Sequence, residues 1–234
     1  MKDNASSNLR LCRLERLTPY RGVRKNLTRT SLTGTLTVGG TTAYAVANGT
    51  IQGGSGVNAL TAGANAQTLI GGAAADVLTG AAGADTLKGN SGADQFKYVN
   101  NGDSFGTTAI DRIMDFVAGT DKIVIDATND AGDFFSTGTA DTLNLTTATT
   151  VTLATAQTIA TAANLTAVYA GITAIAASTA GNVSGVVVTV SAGDTAGTYL
   201  YINDGTGAVA ATDDMLINIT GVTGTLTAND FLVV

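Results

Sequence analysis

A nine-residue unit recurs through the middle of the chain and restricts it to a fold built by stacking. In register it reads GGAAADVLT (71–79), GAAGADTLK (80–88) and GNSGADQFK (89–97). The sixth slot holds Asp76, Asp85 and Asp94; the eighth holds Leu78, Leu87 and Phe96. Weaker copies precede it, GGSGVNALT (53–61) and AGANAQTLI (62–70), with Leu60 and Leu69 at slot eight but Asn58 and Gln67 at slot six. The next frame, YVNNGDSFG (98–106), again offers an acid, Asp103, and an apolar residue, Phe105. The apolar slot persists where the acid is lost, so a stacked coil is the primary feature and an ion site occupies part of it.

The geometry follows from the spacing. Six Gly-rich residues turn the chain and three extended residues form a short strand. Two units complete one flattened coil, so units i and i+2 stack on the same edge. Gly at slots one, two or four permits positive φ at little steric cost, which lets loop carbonyls converge. The slot-six carboxylate then closes an oxygen cage, and slot eight points inward. On this reading Asp76 faces the 89–94 loop on one edge and Asp85 faces the 98–103 loop on the other. Oxygen-only cages on flexible loops suit calcium. Without a cation the stacked carboxylates repel, so binding and folding are expected to be one event.

Composition agrees. Aromatics are 5% and Trp is absent, so the core is built from Val, Ile, Leu and Ala. Gly numbers 29 against one Pro, which with abundant Thr favours β architecture. Residues 1–30 carry eight Lys/Arg against two acids, while the remainder carries four against sixteen, all of them Asp. The basic segment LRLCRLERL (9–17) reads either as a membrane-surface or nucleic-acid contact or as a leader without fixed structure. The second reading is preferred, because no further basic patch supports the first, and no nucleic-acid partner is expected. Cys12 is the single cysteine, which excludes an internal disulfide framework. No apolar h-region follows the basic start, so no cleaved export signal is expected.

Three regions result: a basic leader (1–30), a roll of repeats with a closing segment (31–126), and a C-terminal region (127–234). In the last, 127–147 reads as loop and short strand, and Ala-rich sequence predicts a helix over 154–168. GVVVTVS (185–191), TYLYIND (198–204) and MLINITG (215–221) predict an antiparallel meander.

The ladder resembles the repeats-in-toxin (RTX) nonapeptide G-G-x-G-x-D-x-U-x, most tightly over 80–97. Ala74, Ala81, Asn90 and Ala62 depart from its glycines. The resemblance implies a mainly β chain, a parallel β-roll (β-solenoid) followed by a small mixed region with one helix and a meander. It implies calcium as cofactor, with Asp76, Asp85 and Asp94 as side-chain ligands and Asp103 as a terminal one. Carbonyls of Gly71, Gly80, Gly89 and Ser91 contribute by the same resemblance, whereas Asn58 and Gln67 match too poorly to be carried over. IDRIMDFVAGTDKIVID (110–126) is similar to the segment closing the roll in secreted RTX metalloproteases, making Asp111, Asp115 and Asp121 end-site candidates. The last third, down to Asp230-Phe231-Leu232-Val233-Val234, resembles C-terminal regions exported by type I (ABC-transporter) secretion.

The function expected is that of a secreted or cell-surface calcium-binding protein without catalysis. The chain has no His, which removes H-E-x-x-H zinc chemistry and any Ser-His-Asp relay. The GGSG at 53–56 lacks the last Gly of a nucleophile elbow. The rival reading is a calcium-dependent surface-layer or adhesin protein, with self-assembly or a cell-surface glycan as partner. A further rival is the non-catalytic end of a secreted RTX enzyme.

Overall fold

The computed structural model describes residues 26–28, 36–38, 48–99, 103–126, 150–173, 182–203, 209 and 214–234. The expected leader up to Lys25, with Cys12, and the expected loop and strand over 127–147 lie outside the described residues.

Each repeat contributes one short strand. The strands are β1 (Asn26–Thr28), β2 (Leu36–Val38), β3 (Thr50–Gln52), β4 (Asn58–Thr61), β5 (Thr68–Gly72), β6 (Val77–Thr79), β7 (Thr86–Asn90) and β8 (Gln95–Tyr98). Beyond the repeats follow β9 (Arg112–Ile113) and β10 (Lys122–Ile125). Odd-numbered strands join one parallel sheet and even-numbered strands a second, as a two-unit coil requires. Among the described residues the stack begins with β1, inside the stretch assigned from composition to the leader.

Slot eight is the core. On one sheet Ile51, Leu69, Leu87 and Ile113 lie in register. On the other, Leu60, Leu78, Phe96 and Ile123 do the same. All eight side chains are buried. A β-strand sends alternate residues to opposite faces, so one apolar slot per unit suffices to fill the space between the sheets.

The remaining strands continue these sheets. β11 (Thr150–Leu153), β12 (Gln157–Ile159), β13 (Asn182–Val190), β14 (Gly197–Asn203) and β15 (Met215–Asn218) extend the odd-numbered sheet, in the order β9-β15-β14-β13-β11, with β12 also on β13. β13, β14 and β15 form the expected antiparallel meander. β16 (Phe231–Val233) adds to β10 in parallel, placing Phe231 beside Ile123 at the end of the apolar ladder. One hydrophobic cluster spans Ile51 to Phe231, so the core continues across the change of architecture after Asp126.

The helix is shorter and later than expected. α1 covers Leu165–Gly171, capped by Asn164, whose side chain accepts from Ala167 N. Within the expected span, residues 157–159 pair with β13 instead, next to β11 on the same strand. Thr- and Ala-rich sequence tolerates either state, and the neighbouring strand decides. Val168 in the helix and Ile172 at its C-terminal cap are buried, packed under the meander.

Candidate metal centre

Asp76, Asp85 and Asp94 each sit on the turn entering a strand and bind the coil before. Asp76 Oδ1 accepts from Asn58 N at 2.7 Å. Asp94 Oδ1 accepts from Asp76 N at 2.8 Å, and Asp121 Oδ1 from Asp94 N at 3.0 Å. These four residues make a column along one edge. On the other edge Asp85 Oδ1 accepts from Gln67 N at 2.6 Å, and Asp111 Oδ1 from Asp85 N at 2.9 Å. Slot six therefore performs a structural task, tying coil to coil, with one oxygen.

The second oxygens differ along the columns. Asp76 Oδ2 and Asp85 Oδ2 are buried without a hydrogen-bond partner, and Asp111 Oδ2 is equally buried, with the Tyr98 hydroxyl beside the carboxyl. They crowd against slot-one glycines. A Cβ on Gly71 would lie 2.5 Å from Asp76 Oδ2 and 2.8 Å from the Gly89 carbonyl oxygen. One on Gly80 would lie 2.7 Å from Asp111 Oδ2 and 3.0 Å from Asp85 Oδ2. One on Gly89 would collide with Asp94 Oδ2. Glycine at slot one thus leaves room for oxygens to meet over its Cα.

At the ends of the stack the loops close differently. There the slot-six side chain accepts from the backbone N–H four residues earlier. Asn58 does so from Gly54 at 3.4 Å, Gln67 from Gly63 at 3.1 Å, Asp103 from Val99 at 2.7 Å and Asp121 from Val117 at 2.8 Å. Asp115 uses both oxygens on Gly89 N and Asn90 N. Asp230 does likewise, on Gly119 N at 2.6 Å and on Thr227 N at 2.7 Å. The loops led by Gly71, Gly80 and Gly89 have no such internal bond among the described residues.

Electrostatics mark the same places. Burial pushes the Asp85 carboxyl up to about 7, with the charge of Asp103 adding to the rise and the Gln67 N–H opposing it. Burial likewise pushes Asp94 up to about 6, aided by the charges of Asp121, Asp76 and Asp115. Asp111 lies well above the usual carboxylate range, through burial and then the charge of Asp85. Asp76 and Asp121 are raised, also chiefly by burial. Buried carboxylates without a counter-charge are costly, and a hard cation with oxygen ligands removes that cost.

Among the described residues no group of three acidic, His or Cys side chains is gathered tightly enough to hold an ion alone. The donor set must therefore include carbonyls. Those of Gly71 and Gly89 point to the right place, each lying over the slot-one glycine of the coil before. Gly80 sits beneath the Asp85–Asp111 pair. Ser91 is exposed in the 89–94 loop and its N–H donates to Gly72 O at 3.2 Å.

The expectation for 98–106 is corrected. Asp103 does not follow Asp85 in its column; Asp111 does, and Arg112 pairs with Thr86 in register. The interval from Asp85 to Asp111 is 26 residues, against 18 from Gln67 to Asp85. Within the 98–106 frame Ser104 is held by other partners. Its Oγ donates to Leu216 O and accepts from Asp111 N, each at 2.8 Å, anchoring the loop to β15. Asp85 accordingly faces Asp111, with Asp103 and the buried Tyr98 hydroxyl nearby. The aspartate of the closing segment was visible in the sequence, but its register was not.

No curated protein matches the chain. The model of the RTX calcium-binding nonapeptide repeat matches residues 61–96 in four copies. That segment includes Asp76, Asp85 and Asp94, and stops short of Asp103, Asp111 and Asp121. RTX nonapeptide repeats bind calcium, so the cation suited to these carboxylate columns is calcium.

Proposed function

We propose that this chain is an exported, non-catalytic protein that folds when calcium enters its loops outside the cell. The observation that carries the reading is the pair of buried, partnerless oxygens on Asp76 and Asp85, with the buried carboxyl of Asp111 beside the second. In the metal-free state they oppose folding, and calcium reverses their sign. Asp76, Asp85, Asp94 and Asp111, with carbonyls such as those of Gly71 and Gly89, would hold the ions. Bound calcium supplies charge neutralisation and cross-linking of successive loops, not reaction chemistry. Extracellular calcium modules bind with Kd of about 10⁻⁴ to 10⁻³ M, so the chain would stay open in a calcium-poor cytosol. That state suits type I transport, and 127–234 is read as the export-type region. No helix among the described residues is long and apolar enough to cross a membrane.

The test is calorimetry and circular dichroism with calcium against magnesium. Calcium-specific ordering is expected, since magnesium demands near-ideal octahedral geometry. Equal responses to both ions, or none, would sink the reading. Export is tested by deleting 230–234 in a strain carrying a type I transporter, with reduced secretion expected.

A second reading, calcium-dependent assembly at a cell surface, draws support from β16. Among the described residues it is the edge strand of its sheet, and Leu232 and Val234 are 43% and 44% exposed. An edge strand with apolar side chains invites pairing with another chain. A size-exclusion profile unchanged by calcium would remove it.

A further inference from the structure

We propose that Asn58 is a built-in stand-in for a calcium ion, which closes the first loop of its edge and marks where the ion ladder begins. The inference rests on the calcium reading and concerns which loops need the ion. Asn58 Nδ2 donates to Gly56 O at 2.6 Å, to Asp76 Oδ1 at 2.8 Å and to Gly54 O at 3.4 Å. Two loop carbonyls and a carboxylate from the next coil are the kind of donor set that a calcium ion collects. Here a neutral amide satisfies them. The orientation of that amide is dictated by its surroundings, because its other end, Oδ1, receives Gly54 N–H at 3.4 Å.

The position of the amide matches that of the ion-facing oxygens one coil on. A Cβ on Gly53 would meet Asn58 Nδ2 at 2.6 Å and Gly71 O at 2.5 Å. The same construction on Gly71 meets Asp76 Oδ2 at 2.5 Å and Gly89 O at 2.8 Å. In equivalent coils, then, an amide N–H₂ occupies the place of a carboxylate oxygen. That oxygen, Asp76 Oδ2, is left buried without a hydrogen-bond partner, whereas the amide nitrogen has three acceptors around it. The Asn58 loop is complete without metal, while the Asp76 loop is not. Gln67 closes its own loop on the other edge by the corresponding bond from Gly63. The acid-to-amide change at slot six therefore limits calcium to the middle of the stack and gives it an ion-independent start.

Asn58→Asp replaces the two amide donors by an oxygen acceptor and should create one more calcium site. Isothermal titration with calcium chloride on the full chain reads the number of ions. The expected result is one additional ion per chain in N58D, and an unchanged number in Asn58→Ala, with N58A less resistant to urea. An unchanged number in N58D overturns the inference, as does an N58D chain that stays unfolded at every calcium concentration. Loss of one ion in N58A would make Asn58 a ligand and equally overturn it. A wild-type chain that takes up no calcium removes the calcium reading itself, and this inference with it.

Discussion

Replacing Asp111 by Asn is expected to shift stability in opposite directions with and without calcium. Asn keeps the Oδ1 acceptor that receives Asp85 N at 2.9 Å, so the coil-to-coil bond survives. What changes is the second oxygen, which faces Asp85 Oδ2 across Gly80. In the metal-free chain a neutral amide removes the charge that burial and Asp85 oppose at this position. A buried group left uncompensated costs about 1–3 kcal/mol, so relieving it raises the folded-to-unfolded ratio by roughly fivefold to a hundredfold. In calcium the same change removes a carboxylate ligand. At free calcium about one hundred times Kd, a lost site removes about 2.7 kcal/mol. The two arms should differ by about 4–6 kcal/mol in total. The assay is the folded fraction in EDTA and the urea midpoint in millimolar calcium, by circular dichroism near neutral pH. Asp194→Asn serves as control, because Asp194 is exposed and lies outside both carboxylate columns. An effect of D111N with the same sign in both media would refute the argument, as would equal effects of D194N and D111N in calcium.

Other consequences can be checked in the same assays. Asp85 and Asp94 rise to about 7 and about 6 when folded without metal, against about 3.9 unfolded. The folded chain therefore holds more protons. Metal-free stability should be greatest near pH 4 and fall as pH rises through about 6 and 7, while calcium affinity climbs over that window; metal-free stability that increases from pH 4 to 7 would contradict it. Leu78→Ala, buried between Leu60 and Phe96, should cost about 2–5 kcal/mol in calcium, read from the urea midpoint. Ala81 adopts φ of 56° at a slot-two position, so Ala81→Gly should stabilise by about 1 kcal/mol; a lower melting temperature would count against the strained turn.

The repeat itself was legible because its physics is local. Gly at slots one and four predicts tight loops, and Gly83 and Gly92 show why. Both have positive φ, and a Cβ on either would run into the loop backbone of the coil before. The apolar slot eight and the pairing of units two apart also follow from spacing alone. Three readings failed where distant chain decides. The start of the stack was placed after the basic leader, yet β1 lies inside it. The Ala-rich stretch at 154–168 reads as helix throughout, but residues 157–159 pair with β13 as β12 and the helix starts only at Leu165. The frame at 98–106 carries acid and apolar residue in the correct slots, and it still leaves the ladder, with Ser104 anchored to β15.

The sequence by itself determined that this chain winds into coils, that Leu60, Leu69, Leu78, Leu87 and Phe96 fill them, and that aspartates gather at the turns. Those are consequences of a nine-residue period, which every unit carries within itself. Only the tertiary structure decided which carboxylates keep a bare oxygen. That depends on whether a backbone N–H, an amide or a neighbouring carboxylate lies opposite, and the answer comes from residues as distant as 26 positions along the chain.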